Sequence, residues 1–331
     1  MPPALTITAP DVHGTAWTRS TVVPPPTLSG FIRTVSAPHQ FALVMLSIAL
    51  FVADLAPLEL QRRIVNETLA RGSARTIVLL ASLYLATAFA MGALKLGLNV
   101  YRSYVSENAV RWLRRTLLQD FRDFAPDARP EEEGVQVSLV LAEVEPVGAF
   151  VGPSVSEPVL QGGIVAGTYA YMLFLNPLMA VMALAVFSPQ MIFVPVMQQA
   201  INRRVVLRTY VLRRISGGII GQPGSRLPRR QETRVDRIFS INMAIFKLKF
   251  SMNFLMNLMH HLGVAITLGL GGYLVIRGET ELGTVVAVIA GLKQLNDPWG
   301  GLVDWFRELK VTQAKYGLLR SALEALSRPT A

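Results

Sequence analysis

Charged side chains stand in the middle of a long apolar segment near the carboxyl end of the chain. The segment 284–303 is mostly apolar, yet it contains Lys293, Gln294 and Asp297. Lys293 and Asp297 are four residues apart, so they share one face of a helix. Ionisable residues at membrane depth normally face a water-filled cavity or a charged partner. The pattern therefore allows two interpretations: a polar patch that lines a substrate pathway, or a self-neutralised pair with a structural role.

A pair of histidines interrupts the preceding apolar segment, 251–276. His260 and His261 lie near its middle, and Asn257 precedes them by about one helical turn. A metal site would need more donors at ligand spacing, and the chain contains no cysteine. We therefore expect packed or cavity-facing histidines and no bound metal. His260 and Asn257 join the candidates for the substrate pathway.

Three more polar residues fall inside apolar segments nearer the amino end. Glu157 and Gln161 share a helical face, and they either line the pathway or bond to a neighbouring helix. Asp54 lies close to Pro57, where it either binds a cation or caps a break in the helix. No nucleophile–base set, paired carboxylate site or metal motif accompanies these residues, so the sequence does not indicate an enzyme.

The elements that carry these residues are apolar runs long enough to cross a bilayer. The chain is 51% hydrophobic and 16% charged, and its mean hydropathy is +0.40. About 20 apolar residues cross a hydrocarbon core of roughly 30 Å. These features predict an all-α membrane protein with six transmembrane helices, at about 41–60, 76–100, 147–175, 178–201, 251–276 and 284–303.

The distribution of charge predicts the orientation of these spans. Twelve Lys and Arg but only two acidic residues lie between positions 203 and 249, which indicates a cytoplasmic segment under the positive-inside rule. No aromatic residues are interleaved with the basic ones in the manner of a nucleic-acid site, so we expect no nucleic-acid partner. Both termini then lie in the cytoplasm. Residues 101–124 continue the second span with helical periodicity, which adds roughly 36 Å of cytoplasmic extension.

The amino-terminal residues differ in composition from the rest. Residues 1–26 are rich in Pro, Thr and Ala, so we expect a disordered tail, and they lack the pattern of a secretory signal. Residues 27–40 form either a short amphipathic helix on the membrane surface or a loop. The six-helix domain is expected to occupy 27–328.

Four stretches, taken in order, resemble a known family. They are APLELQRRIVNETLARG after the first span, SENAVRWLRRTLL after the second, EEEGVQVSLVLAEVEPVGAFV before the third, and IRGETELGTVV with NDPWGGL around the sixth. In this order and at these spacings, the chain resembles the transmembrane domain of a type I ABC exporter over about residues 30–325.

The resemblance implies a function and a set of partners. It implies the permease subunit of an ATP-driven exporter in a bacterial inner membrane, surrounded by lipid and paired with a second six-span unit as a homodimer or heterodimer. The implied cargo is lipid-like, amphipathic or peptidic. Coupling to the ATPase is implied for two cytoplasmic regions, whose residues include Glu132, Glu133, Ser138, Glu143, Glu145, Arg213, Arg214 and Arg226.

The nucleotide chemistry itself is expected from a partner. The phosphate-binding motif GxxxxGK[ST] does not occur in the sequence, so this chain is expected to lack a nucleotide-binding domain and to bind no cofactor of its own. An ATP-binding-cassette ATPase subunit would hold ATP and Mg²⁺. Two alternatives remain: a regulatory or scaffold subunit without transport of its own, and a transporter driven by an ion gradient.

Overall fold

A computed structural model describes residues 25–70, 72–124, 144–220 and 229–326. All regular secondary structure in these ranges is helical. The seven principal helices are α1 (Leu28–Ala53), α2 (Ala56–Leu69), α3 (Ala74–Phe124), α4 (Pro153–Leu175), α5 (Pro177–Ile220), α6 (Arg229–Ile276) and α7 (Leu282–Leu326).

Five stretches of the described chain are long and apolar enough to cross a membrane. They are Leu28–Leu69, Ala74–Thr116, Pro153–Leu175, Pro177–Leu212 and Glu232–Ile276. The described ranges are therefore all-helical and contain the long apolar helices of an integral membrane protein, as predicted. The predicted sixth span, 284–303, lies within α7 but does not meet the same criterion, because the polar residues from Lys293 to Asp297 lower its hydropathy.

The segment that was open between a separate surface helix and a loop is the first part of α1. α1 runs without interruption from Leu28 through Pro38 to Ala53, so the helix predicted within 27–40 is present but continuous with the first span, and the loop alternative is wrong. Its first turn is capped by Thr27, whose hydroxyl accepts a hydrogen bond from the Gly30 backbone N–H at 3.1 Å. A capped start and a buried inner face explain why this segment joins the bundle.

The core at one end of the bundle holds the start of α1 in place. The Phe31 ring is fully buried, with ring centroids 5.7 Å from Trp112 on α3 and 5.5 Å from Tyr316 on α7. The Tyr316 hydroxyl donates to the Pro25 carbonyl at 2.6 Å. Burial raises the pKa of Tyr316 to about 12, so this phenol stays protonated and keeps donating at neutral pH. We call this the extension end.

A second core lies at the opposite end, which contains the α4–α5 turn and the connection between α6 and α7. We call it the turn end. Met172 and Met179 from either side of the α4–α5 turn pack with Leu274 of α6 and Val285 of α7. Gly271 allows α6 this approach, since a Cβ atom there would meet Val285 at 2.8 Å.

Four helices are far longer than a bilayer crossing requires. α3, α5, α6 and α7 contain 51, 44, 48 and 45 residues, against about 20 for a span. Each therefore reaches roughly 65–75 Å from end to end. α5 and α6 pack against each other along this length, and towards the extension end they expose large apolar side chains, among them Val206, Phe239, Phe246 and Phe250.

Candidate functional site

Lys293 and Asp297 lie on one uncovered face of α7. Both side chains are exposed, and within the described ranges neither makes an ion pair with the other or with any residue. The structural interpretation of a self-neutralised pair is thus not supported. The same face continues towards the extension end with Gly300, where an added Cβ atom would meet nothing within 4 Å, and with the exposed Asp304.

The histidines lie on α6 beside this face. The rings of His260 and His261 contact each other edge to face, with centroids 5.5 Å apart. His260 is half-buried and His261 exposed. Lys293 lies across the α6–α7 contact, near enough to His260 for its charge to act on the imidazole ring. Chain folding thus brings together two candidates that are 33 positions apart in sequence.

Along one face of α6, residues near the turn end are buried in the bundle, and those towards the extension end are polar and more exposed. Towards the turn end this face carries Gly263, Thr267 and Gly271, with Thr267 and Gly271 buried in the bundle. Gly263 is in contact distance of Leu292 on α7. Towards the extension end the same helical positions are occupied by His260, Asn257 and Asn253, of which both asparagines are exposed.

A different face of α6 is apolar at the same depth. Phe254, Leu258 and Leu262 follow one another at intervals of four residues and are all exposed. Neighbouring faces of one helix therefore present amide and imidazole groups on one side and hydrocarbon on the other. Such a division is expected where one face meets a water-filled space and the other meets lipid.

Gln294 points to another neighbour, the break between α1 and α2. Its side-chain amide donates to the carboxylate of Asp54 and, at 3.1 Å, to the Asp54 backbone carbonyl. Asp54 is the carboxyl-terminal cap residue of α1, and Pro57 lies in the first turn of α2. The helix-break interpretation of Asp54 is supported, and Gln294 acts as a clasp between helices rather than as an open pathway residue.

Glu157 and Gln161 belong to a largely buried network between helices. Glu157 pairs with Arg102 of α3 and accepts a hydrogen bond from Gln161 at 2.7 Å. Arg102 also donates to the Ser156 hydroxyl at 2.7 Å, and Gln161 packs on Gly301 of α7. Of the two predicted roles, bonding to a neighbouring helix is the one that the structure supports.

Sequence reasoning missed Arg102. It follows the predicted second span by two residues, and it was treated only as part of the helical extension. The one available signal was Glu157 itself, because an acid inside an apolar segment needs a positive partner. Which of the many arginines supplies that partner depends on how α3 packs against α4, and the sequence does not contain that register in readable form.

A second polar cluster closes the turn end. Both carboxylate oxygens of Glu59 on α2 accept from Arg62, each at 2.8 Å, and Arg63 donates to the same group at 2.6 Å. The Tyr171 hydroxyl on α4 donates to Glu59 at 2.6 Å. This cluster fastens α2 to α4.

The connection between α6 and α7 is fastened to α2 in the same region. Asn66 donates to Glu281 at 2.5 Å and accepts from the Gly283 backbone N–H at 2.8 Å. Arg62 adds an ion pair to Glu281 at 3.2 Å. A Cβ atom at Gly283 would meet the Arg62 carbonyl at 2.4 Å, so only glycine permits this approach.

The predicted coupling residues are mostly outside the described ranges. Glu132, Glu133, Ser138, Glu143 and Arg226 lie outside them, while Arg213 and Arg214 fall on α5 but their side chains are not described. Glu145 is described, and it accepts from Arg114 of α3 at 2.9 Å in an exposed ion pair. This contact joins the segment before α4 to the extension of α3.

The described residues offer no group of three or more His, Asp or Glu side chains able to hold a metal ion. The fold and the charged faces define an all-helical membrane protein with an unpaired polar patch beside α6 and α7. No protein-family model matches the sequence, and no curated protein matches it either.

Proposed function

We propose that the chain is the permease subunit of an ATP-driven exporter of the type I ABC class, with six spans per unit. The observation that carries the proposal is the length of α3, α5, α6 and α7, each 44 residues or more. A helix of this length crosses the bilayer and then extends roughly 35 Å further as a lever on which a cytoplasmic motor can act.

In this proposal α7 supplies the sixth crossing. Its charged residues lower its hydropathy, but they are confined to a face that looks into a water-filled cavity and not into lipid. The face opposite carries buried apolar residues such as Val288, Leu292 and Leu295. A helix with one water-facing side is expected in a transporter, since charged residues at membrane depth normally mark a substrate pathway.

A second six-span unit would complete the cavity. The α5–α6 pair exposes apolar side chains towards the extension end, among them Val206, Phe239 and Phe246. Burying that surface against a second unit would remove it from water below the bilayer. The turn-end clusters at Glu59 and Asn66 would then close the trans side, and the extension end would face the ATPase in the cytoplasm.

Solvent access tests the cavity. The chain has no native cysteine, so single cysteines can be placed at Lys293, at Asp297 and, as a lipid-facing control at a similar depth, at Leu262. A membrane-impermeant thiol reagent should modify positions 293 and 297 but not 262, and nucleotide added to the assembled complex should change the rates at 293 and 297. If 293 and 297 resist modification in every nucleotide state, the cavity assignment is wrong.

ATP dependence tests the motor. The full chain is purified from its native membranes, any accompanying ATP-binding-cassette ATPase is identified, and both are reconstituted in vesicles. Adding the chain should change ATP hydrolysis severalfold. Transport in ATP-free vesicles under a pH gradient would instead identify a gradient-driven transporter, and an ATPase altered without any transport would identify a regulatory subunit.

A further inference from the structure

The polar patch beside α6 and α7 carries both signs of charge, and this limits what it can bind. Lys293 and Asp297 are exposed on the same face, and neither has an ion-pair partner in the described chain. Residues four apart on a helix are about 6 Å apart along its axis. The patch is therefore a positive and a negative group held side by side without a direct ion pair between them.

Its depth makes the uncompensated charge costly. Lys293 is 11 residues from the start of α7 at Leu282, which places it roughly 16 Å from the turn end. That is near the middle of a hydrocarbon core of about 30 Å. Even in a narrow aqueous cavity the low-dielectric walls strengthen charge interactions, so a ligand that meets both charges is strongly favoured over one that meets a single charge.

We propose that this patch binds a zwitterionic group, one that carries a phosphate or carboxylate and an ammonium a few ångströms apart. The anion faces Lys293, with His260 and His261 as neighbouring hydrogen-bonding groups, and the ammonium faces Asp297. The inference rests on the proposed function for the cavity itself and adds the chemical class of its cargo.

The charge arrangement disfavours simpler ligands. A simple anion at Lys293 would lie near the Asp297 carboxylate, and a simple cation at Asp297 would lie near the Lys293 ammonium, because the two residues are about one helical turn apart on the same face. Either ligand leaves one protein charge uncompensated and adds a repulsion. A zwitterion removes both costs, and the exposed Asn257 amide adds an uncharged donor and acceptor on the α6 side.

Direct binding to the purified full chain in lipid-free detergent tests this without any ATPase. The probes are dihexanoylphosphatidylethanolamine as a zwitterion, dihexanoylphosphatidylglycerol as an anion, decyltrimethylammonium as a cation, and glycylglycine as a zwitterion without acyl chains. We expect the wild type to bind the phosphatidylethanolamine probe at least tenfold more tightly than the anion or the cation. Binding of glycylglycine as well would indicate a water-soluble cargo, and its failure to bind would indicate a lipid.

Charge variants make the test specific. Lys293→Met and Asp297→Asn should each weaken binding of the zwitterionic lipid about tenfold, whereas Lys310→Met and Glu308→Gln, exposed on the same helix, should change it less than twofold. Asp297→Asn should also bind the anionic lipid more tightly than the wild type does. The charge-swapped variant Lys293→Asp with Asp297→Lys serves where a single variant does not fold, and it should keep the preference for zwitterions.

Equal affinity for all charged probes, or site variants that behave like their controls, would overturn the zwitterion assignment. That failure is separable from failure of the cavity. Cysteines at 293 and 297 that are accessible to water, together with no preference for a zwitterion, would leave the proposed permease intact and exclude only this cargo class.

Discussion

The ion pair between Arg102 and Glu157 yields the sharpest prediction about stability. Its side chains are only 12% and 23% exposed, and it joins α3 to α4 below the Gln161 contact with α7. The change Glu157→Gln keeps the side-chain shape but removes the charge that compensates the guanidinium. Breaking a buried pair on one side costs roughly 3–5 kcal/mol. Because the Ser156 hydroxyl still accepts from Arg102, we expect about 2–3 kcal/mol here.

A double variant tests whether the loss of stability comes from the buried guanidinium left without its partner. Arg102→Met with Glu157→Leu removes both charges, and replacement of a buried pair by apolar groups is often neutral or stabilising. The double variant should therefore be more stable than Glu157→Gln alone. A double-mutant cycle should give a coupling energy of about 1–3 kcal/mol.

The assay is chemical unfolding of the full chain in lipid nanodiscs, followed by far-ultraviolet circular dichroism. The matched control is Arg114→Gln, because its pair with Glu145 is 44% and 67% exposed and exposed pairs contribute roughly 0–1 kcal/mol. If Glu157→Gln destabilises no more than Arg114→Gln, or if the double variant loses the sum of its single losses, then the pair does not hold α3 to α4.

Two further predictions concern close contacts between helices. Gly152→Ala should destabilise the protein by roughly 1–3 kcal/mol, because its Cβ would meet the Arg102 carbonyl at 2.3 Å. The control Gly162→Ala, with open space at its Cβ, should be neutral or slightly stabilising in the same unfolding assay. Equal effects of the two variants would contradict the packing. Asn66→Cys with Glu281→Cys should be bridged within one chain by a short bifunctional thiol reagent, seen by mass spectrometry as one reagent joined to both cysteines, because the native side chains meet at their polar atoms, 2.5 Å apart. Cysteines that each carry a separate reagent molecule would refute the closed turn end, and single-cysteine variants serve as controls.

The helices could be predicted from the sequence because their information is local. Apolar runs of sufficient length and the Asn176–Pro177 break mark one end of four of the five candidate spans to within two residues, whereas the other ends of those four differ by 6 to 19 residues. The start of α1 could not be predicted in the same way. Phe31 is buried because Trp112 and Tyr316 pack against it, and nothing within 27–40 indicates those distant partners.

The polar residues show the same limit at the level of the site. The spacing of Lys293 and Asp297 placed them on one face, and that prediction needed only helix geometry. Whether the face is covered depends on neighbouring helices, so the sequence left pairing and pathway equally open. Gln294, next in the chain, turns to Asp54 on α1 instead. Adjacent residues of α7 point about 100° apart around the helix, which is enough for one to hydrogen-bond to α1 while the other stays exposed.

Polar groups are paired with other side chains at the two ends of the bundle but not in its middle, and this contrast bears on mechanism. At the turn end Glu59 has three partners, and nearer the extension end Glu157 and Arg102 form an ion pair. Such pairs fix helices at defined positions, where discrete rearrangement requires breaking several charge-assisted bonds at once. Between them, Lys293 and Asp297 make no such bonds in the described chain. A bundle that needed only rigidity would gain by carrying apolar residues at both positions, and this is the physical reason for proposing a ligand that meets both charges.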